Sequence, residues 1–185
     1  MISFLSHLVN GLSLGSVYAI IALGYSMVYG IAKMLNFAHG DIIMVGAYIA
    51  FCVMQYLGLP SIVAVLAAMV VCTLLGVFIE RLAYKPLRQA TSLAVLITAI
   101  GMSYLLQNAA LLIWGANPKV FPSVVTIPSI QLFNGQLKIT GETIVTVLAN
   151  VVIMIALTLF AGKTQMGKAM RAVSEDKGAA ELMGI

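Results

Sequence analysis

Long apolar runs separated by short polar segments dominate the chain. No Lys, Arg, Asp or Glu occurs from residue 1 to 32 or from residue 42 to 79. A helix needs about 20 apolar residues to cross the hydrocarbon core of a bilayer. The runs therefore predict an all-α polytopic membrane protein with about five transmembrane helices. We place the spans at residues 8–30, 37–57, 60–79, 92–114 and 143–161, within a transmembrane bundle that occupies residues 1–162.

The second span begins with a compact polar stretch, Asn36-Phe37-Ala38-His39-Gly40-Asp41. Polar groups in hydrocarbon need protein or water partners. One interpretation is a short cytoplasmic turn, in which Asn36 or Asp41 caps a helix and His39 faces water. The other is a broken second span that lines a solute path and offers a helix N-terminus to an anionic group. The candidate pathway residues of this stretch are Asn36, Phe37, His39, Gly40 and Asp41.

Small and polar residues mark faces on two further spans. Ser103 and Gln107 of the fourth span share a helix face, because they lie four positions apart. They suit either hydrogen bonds between helices or the wall of a pathway, so both join the candidate pathway residues. The first span carries a GxxxG motif at Gly11 and Gly15. This motif allows another helix to approach closely, although small residues are also common in membrane helices.

The connections between spans contain residues that stop helices. Residues 80–88 form a predicted basic loop in which Pro86 ends any helix. Residues 115–141 hold three of the five prolines, β-branched runs and the pair Asn134-Gly135. These features predict a small extracytoplasmic loop or hairpin with its turn at Asn134-Gly135.

Composition supports membrane insertion. The 185 residues are 62% hydrophobic and only 9% charged, and the mean hydropathy is +1.07. Soluble domains carry about 25% charged residues. The first apolar run is longer than the core of a signal peptide and lacks a basic leader, so we expect no cleaved targeting peptide.

The positive charges predict the orientation in the membrane. Eight of the ten Lys and Arg residues fall at position 33, at 81–88 and at 163–177. Basic residues beside spans mark the cytoplasmic side. We therefore expect an N-terminus outside, residues 58–61 and 115–141 outside, and residues from 163 onward in the cytoplasm. The net charge of +4 is explained by topology, and no nucleic acid is expected as a partner.

The sequence offers no catalytic or metal-binding constellation. Cys52 and Cys72 lie inside predicted spans without a CxxC or Cys/His grouping, and we interpret them as small apolar side chains. His39 beside Asp41 is too small a set for catalysis. An enzyme is therefore not predicted.

The tail from residue 163 to 185 has the pattern of a docking element. Met166, Met170, Val173 and Lys177 follow one helical face, and Gly178 is expected to divide the tail into two short helices. One interpretation is a helix held at anionic headgroups. The acidic residues Glu175, Asp176 and Glu181 would be repelled there, so we favour docking to a protein partner.

Several motifs together resemble the branched-chain amino acid ABC transporter permeases of the LivH type. The resemblance covers essentially all 185 residues. The motifs are the tail segments 167–176 and 179–185, the segments 10–19, 24–30 and 35–41 around the first two spans, and 80–88 with 100–103 in the middle.

The resemblance implies a multi-pass subunit of the bacterial inner membrane that hydrolyses nothing itself. Its implied partners are a second homologous permease, two cytoplasmic ATP-binding subunits and an extracytoplasmic solute-binding protein that delivers leucine, isoleucine or valine. No cofactor is bound directly, because the partner ATPases use the ATP. The implied contacts to the ATPase are Gly167, Arg171, Glu175, Asp176, Gly178, Ala179 and Gly184.

Family members are longer and have further spans, so the resemblance implies a fragment or a truncated product. Two other functions fit the same sequence. Permeases for urea or short-chain amides share much of the pattern. A truncated, non-transporting membrane protein that docks a soluble partner through its tail is the second alternative.

Overall fold

The structure, a computed structural model, describes residues 2–33, 36–87, 90–125, 128–132 and 137–184. Within these ranges it contains seven α-helices and one β-hairpin. The helices are α1 (Ile2–Ala32), α2 (His39–Gln55), α3 (Ser61–Ile79), α4 (Ser92–Trp114), α5 (Gly141–Lys163), α6 (Gln165–Glu175) and α7 (Lys177–Leu182). The strands are β1 (Ile130–Leu132) and β2 (Leu137–Ile139).

Among the described residues, four helical segments are long and apolar enough to cross a membrane. They are Ser3–Gly30, Ser61–Leu87, Leu93–Trp114 and Gly141–Lys163. The apolar helix α2 is shorter, with 17 residues. Its length of about 26 Å is slightly less than the thickness of the hydrocarbon core, about 30 Å. Five apolar helices thus lie where the sequence predicted spans, which confirms an all-α polytopic membrane protein.

The ends of these helices follow local side-chain chemistry. The hydroxyl oxygens of Thr91 and Thr140 cap α4 and α5, each accepting a hydrogen bond from a backbone N–H three residues on. Such caps satisfy one of the free donors of a helix N-terminus. Pro60 precedes α3 in an extended conformation, and Gly115 follows α4 with φ +78°, a conformation that favours glycine.

The segment 80–88, predicted as a loop, is instead helical as far as Leu87. A π-helical turn, Glu80–Tyr84, continues α3 and is followed by a 3₁₀ turn, Lys85–Leu87. Ala83 and Tyr84 of this segment are buried, so packing favours a helical path up to the proline. The sequence argument was wrong because Pro86 lies at the end of the helix, where its missing N–H costs little.

The predicted hairpin is present. β1 and β2 pair antiparallel, with Ile130 opposite Ile139 and Leu132 opposite Leu137. The predicted turn, Asn134-Gly135, lies outside the described residues.

Packing divides the chain into two compact units, residues 1–33 with 125–185 and residues 34–124. In the first unit α1 packs against α5 and α6, and α6 packs against α5 and α7. In the second unit α2 packs against α3 and α4. The predicted boundary between residues 162 and 163 falls at the end of α5 and stays a prediction.

The core of the second unit surrounds the start of α2. Small side chains from the turn before α2 and from α4, Ala38 and Ala99, are fully buried. The cluster comprises Ala38, Ile79, Ala83, Tyr84, Val95, Ala99 and Leu106. Many other apolar side chains of the spans are exposed, such as Ile62 at 73% and Leu112 at 86%. Large exposed apolar surfaces are typical of proteins that contact lipid or other subunits.

Close helix approach occurs at Gly46 and not at the GxxxG motif. A Cβ placed on Gly46 would lie 2.8 Å from Cys72 Sγ on α3. A Cβ on Gly11 or Gly15 would meet no described atom within 4 Å. Cys72 also directs its thiol to the Ile42 carbonyl oxygen at 3.4 Å. The glycine that allows α2 and α3 to pack closely is therefore Gly46.

We predict that Gly46→Ala destabilises the protein. Overpacking costs about 1–3 kcal/mol, partly offset by about 0.5–1 kcal/mol that alanine gains over glycine inside a helix. Thermal unfolding in detergent micelles should show a lower Tm, and adding Cys72→Ala should restore it. Gly11→Ala is the control and should not lower the Tm. Equal stability of Gly46→Ala and Gly11→Ala would contradict the close approach.

Candidate functional site

The polar stretch before α2 forms a hydrogen-bonded turn. The side-chain oxygen of Asn36 accepts hydrogen bonds from the Ala38 N–H at 3.1 Å and from the Tyr84 hydroxyl at 2.9 Å. The Asn36 carbonyl accepts from the His39 N–H at 3.2 Å. Tyr84 is only 8% exposed, so its hydroxyl needs a partner. Asn36 therefore joins the turn to the helical extension of α3.

Neither Asn36 nor Asp41 is the N-cap residue of α2, as one interpretation of the sequence required. The N-cap is Ala38, which makes no side-chain capping bond. Asn36 lies outside the helix, and the Asp41 carboxylate instead bonds to side chains of α4. This part of the turn interpretation was wrong because Asn36 Oδ1 bonds to the N–H of Ala38, before the helix, whereas tertiary partners take the Asp41 carboxylate.

Asp41 is buried and hydrogen-bonded to two residues of α4. Its side chain is 8% exposed, and its carboxylate accepts from Ser103 Oγ at 2.5 Å and from Gln107 Nε2 at 3.0 Å. Gln107 Nε2 also lies 3.1 Å from Ser103 Oγ. The carboxylate occupies the first turn of α2, where the helix dipole favours negative charge. The three residues, named here the Asp41 cluster, hold α2 against α4.

The other predicted pathway residues of the polar stretch precede Asp41 in the chain. Phe37 is 45% exposed, and Gly40 is exposed, with no atom within 4 Å of an added Cβ. His39 is half-buried. The structure thus brings together Asp41, Ser103 and Gln107. Contact of any of these residues with a solute stays a prediction.

A second contact between α2 and α4 was not predicted from the sequence. Trp114 Nε1 donates a hydrogen bond to Cys52 Sγ at 3.1 Å. The Trp114 ring stacks on Tyr48, with ring centroids 4.5 Å apart and planes 11° apart. Neither cysteine forms a disulfide. The available signal was the spacing of Tyr48 and Cys52, which places both on one face of α2.

The tail begins with a close contact between α5 and α6. The Thr164 hydroxyl accepts from the Gly167 N–H at 3.0 Å and donates to the Phe160 carbonyl at 2.6 Å. Gly167 is buried. A Cβ on Gly167 would lie 2.3 Å from the Phe160 carbonyl oxygen and 2.6 Å from Ala161 Cα. Since both are backbone atoms, this position requires glycine.

Arg171 connects α6 to the last turn of α5. Its Nη2 donates to the carbonyl oxygens of Ala161 at 2.9 Å and of Gly162 at 3.2 Å. These carbonyls belong to the end of a helix, where they lack partners within the helix and where positive charge is favourable. Arg171 and Gly167 therefore both fix the direction of α6 relative to α5.

The division of the tail lies at Asp176 and not at Gly178. Asp176 ends α6 in an extended conformation and caps α7. Its Oδ1 accepts from the N–H groups of Gly178 at 2.9 Å and of Ala179 at 3.1 Å. The predicted break at Gly178 is wrong because the N-cap Asp176 starts a helix that tolerates glycine in its first turn.

Six of the seven predicted ATPase contacts are exposed. They are Arg171, Glu175, Asp176, Gly178, Ala179 and Gly184. Gly184 has φ +80°, and Ala180 is buried at 4% exposure. The tail thus presents a charged surface beside two residues, Gly167 and Arg171, that are engaged with α5.

Among the described residues, no group of three His, Cys, Asp or Glu side chains lies close enough to hold a metal ion. The arrangement is instead that of a multi-pass membrane protein in which a helix pair is anchored to the end of a span. The chain belongs to the family described as the permease component of the branched-chain amino acid transport system, whose model matches residues 7–185.

The sequences of individual relatives align with nearly the whole of this chain. It is 43% identical to the high-affinity branched-chain amino acid transport system permease protein BraD of Pseudomonas aeruginosa, over 98% of this chain and 62% of the relative. It is 40% identical to the corresponding LivH protein of Escherichia coli K12, again over 98% and 62%. A probable LivH of Methanocaldococcus jannaschii is 27% identical over 90% of the chain and 53% of the relative.

The chain therefore spans about 62% of the length of the bacterial relatives that it matches. No solved structure matches it.

We predict that the side chains of Asp41 and Gln107 are energetically coupled. A double-mutant cycle of Asp41→Leu and Gln107→Leu should give a coupling energy of about 1.5–3 kcal/mol, as for hydrogen bonds to charged groups. Unfolding in detergent micelles provides the measurement. Asn108→Leu is the control, because Asn108 Nδ2 donates to the Tyr104 carbonyl of its own helix at 2.7 Å. A coupling no larger than that between Asp41 and Asn108 would contradict the cluster.

We also predict that Gly167→Ala loosens α6 from α5. The added methyl group overlaps backbone atoms and costs about 1–3 kcal/mol, so trypsin should cleave at Lys168 and Arg171 about five-fold faster or more. Gly178→Ala is the matched control in the same tail, since its Cβ would approach only Asp176 Oδ1, at 3.4 Å. Identical cleavage rates for the two variants would exclude the tight contact.

Proposed function

We propose that this chain is a membrane permease subunit of an ATP-driven importer for branched-chain amino acids: leucine, isoleucine and valine. The observation that carries the proposal is the match over 98% of the chain to a protein named as a permease of this transport system. Two features agree with it: a polar cluster joins the apolar helices α2 and α4, and α5 ends in an anchored helix pair. The chain itself carries no catalytic role.

The proposed partners are a second homologous permease, two cytoplasmic ATP-binding subunits and an extracytoplasmic solute-binding protein. ATP is hydrolysed by the partner subunits, so this chain binds no cofactor directly. The surface proposed for the ATPase comprises Glu175, Asp176, Gly178, Ala179 and Gly184. All five are exposed, the first four on α6, α7 and their junction and Gly184 just after α7. Charged and small residues at a helix break suit docking into a groove of a protein partner.

Movement of the ATPases would reach the spans through α5. Gly167 packs α6 against the backbone of Phe160 and Ala161, and Arg171 bonds to the last carbonyls of α5. A helix held at two points moves with its neighbour as one body. We therefore assign Gly167 and Arg171 a positioning role, as the joint that transmits ATPase movement to α5.

The Asp41 cluster is the proposed lining of the solute path. An ionisable residue within a membrane span is costly and usually functional. The Asp41 carboxylate accepts hydrogen bonds from two side chains of α4, so it belongs to a polar network between two apolar helices. Asn36, Phe37, His39 and Gly40 precede it along the chain and complete the proposed path.

The proposed location is the bacterial inner membrane, with the N-terminus outside and residues from 163 onward in the cytoplasm. The support is the concentration of Lys and Arg at position 33, at 81–88 and at 163–177. These three segments would share the cytoplasmic side under the positive-inside rule.

The test is uptake of labelled leucine in cells that lack the gene. Cells would receive this 185-residue chain or a version extended by the region that its relatives have beyond it, and each would be tested with unlabelled leucine and with urea as competitor. We expect the extended version to restore leucine uptake that urea does not inhibit, with an ATP-binding subunit co-purifying.

Inhibition by urea would reassign the substrate to urea or amides. Failure of the extended version, with the chain in the membrane and a different soluble protein bound to its tail, would support a docking protein that does not transport. Gly167→Ala supplies the variant with an impaired joint.

A further inference from the structure

A cavity of about 210 Å³ lies beside α2 within the second unit. Its wall on α2 is formed by Met44, Ala47, Tyr48 and Phe51, which share one helix face by their spacing. Lys119 and Phe121 of the segment that follows α4 line its edge, and the cavity is open on one side. Lys119, an exposed residue, is the charged member of this lining, and the remaining side chains are aliphatic or aromatic.

The walls of this cavity are held by aromatic contacts. Tyr48 stacks on Trp114 with centroids 4.5 Å apart, and Trp114 is fixed in turn by its hydrogen bond to Cys52. The Phe51 and Phe121 rings lie 6.2 Å apart at 49°, so the segment after α4 is packed against α2. These contacts hold the Tyr48 and Phe51 rings in place beside the cavity.

The size and chemistry of the cavity limit its ligand. Cavities that take drug-sized molecules have volumes of about 300–1,000 Å³, so this smaller cavity suits a molecule with few heavy atoms. Apolar and aromatic walls favour an aliphatic group, and an ammonium favours an anion, above all a carboxylate. Aromatic faces also attract a ligand ammonium group.

We propose that this cavity binds a small aliphatic carboxylate of the leucine class, with the carboxylate at Lys119 and the aliphatic chain against Met44, Ala47 and Phe51. The identification of the ligand rests on the proposed function. Met44 follows Asp41 by three positions, so the cavity begins about one helical turn from the Asp41 cluster. The cavity is thus a binding site adjoining the proposed path.

Trp114 provides a probe, because it stacks on a wall residue of the cavity. The purified full-length permease in lipid nanodiscs would be titrated with four probes while Trp114 fluorescence is recorded. The probes are leucine, 4-methylpentanoate, which lacks the amine, 3-methylbutylamine, which lacks the carboxylate, and inorganic phosphate. A Trp114→Phe variant identifies any signal that comes from elsewhere.

We expect saturable changes with leucine and 4-methylpentanoate and none with 3-methylbutylamine or phosphate. Lys119→Gln should weaken leucine binding about tenfold or more, because a charge-assisted hydrogen bond is lost, and Lys119→Arg should largely preserve it. Lys163→Gln is the control for loss of an exposed lysine and should bind normally. Ala47→Phe should abolish binding by filling the cavity while leaving the ammonium in place.

Normal leucine binding by both Lys119→Gln and Ala47→Phe would overturn the proposal. An equal response to phosphate would show that Lys119 recognises any anion, such as a lipid headgroup, and would also overturn it. These results are separable from the proposed function. Leucine import without Lys119-dependent binding rejects the cavity alone, whereas binding of 4-methylpentanoate without leucine import rejects the transport function alone.

Discussion

The second unit depends on hydrogen-bond partners for its buried polar side chains. Asp41 illustrates this constraint most directly, since its buried carboxylate accepts hydrogen bonds from Ser103 and Gln107. An unpaired carboxylate at this depth would cost several kcal/mol. The bond pattern therefore sets which face of α4 meets the first turn of α2. The same constraint explains the turn before α2, where Asn36 accepts from the buried Tyr84 hydroxyl.

The tail obeys a related constraint at the end of a helix. The final carbonyls of α5 lack partners within the helix, and the side chains of Thr164 and Arg171 supply donors. Gly167 allows α6 to come close enough for these contacts, because any larger residue would overlap the backbone of α5. Two of the residues predicted as ATPase contacts, Gly167 and Arg171, thus hold α6 against α5. The remaining charged and small residues stay exposed and available to a partner.

Much of the fold could be predicted from the sequence, and the errors have identifiable causes. The positions of the five apolar helices and of the hairpin were predicted correctly, because length and turn chemistry are local properties. The helical path through Ala83 and Tyr84 was not predicted, because Pro86 indicated a loop. Burial of Ala83 and Tyr84 stabilises the helical backbone before the proline. The division of the tail was predicted at Gly178 but lies at Asp176. Glycine is a poor helix former, yet the N-cap bonds of Asp176 decide where the second helix begins. For the candidate site, the spacing of Ser103 and Gln107 predicted that they share a helix face, but it did not predict Asp41 as their partner.

The sequence by itself therefore determined the membrane class, the approximate spans and the polar residues that needed partners. It also carried the resemblance to the permease family, since the motifs occur along the whole chain. Only the tertiary structure decided which of these residues meet. Asp41 with Ser103 and Gln107, Trp114 with Cys52, and Gly46 with Cys72 each join residues from different helices. The physical reason is that periodicity specifies the faces of a helix, whereas the neighbour of each face depends on how all the helices pack together.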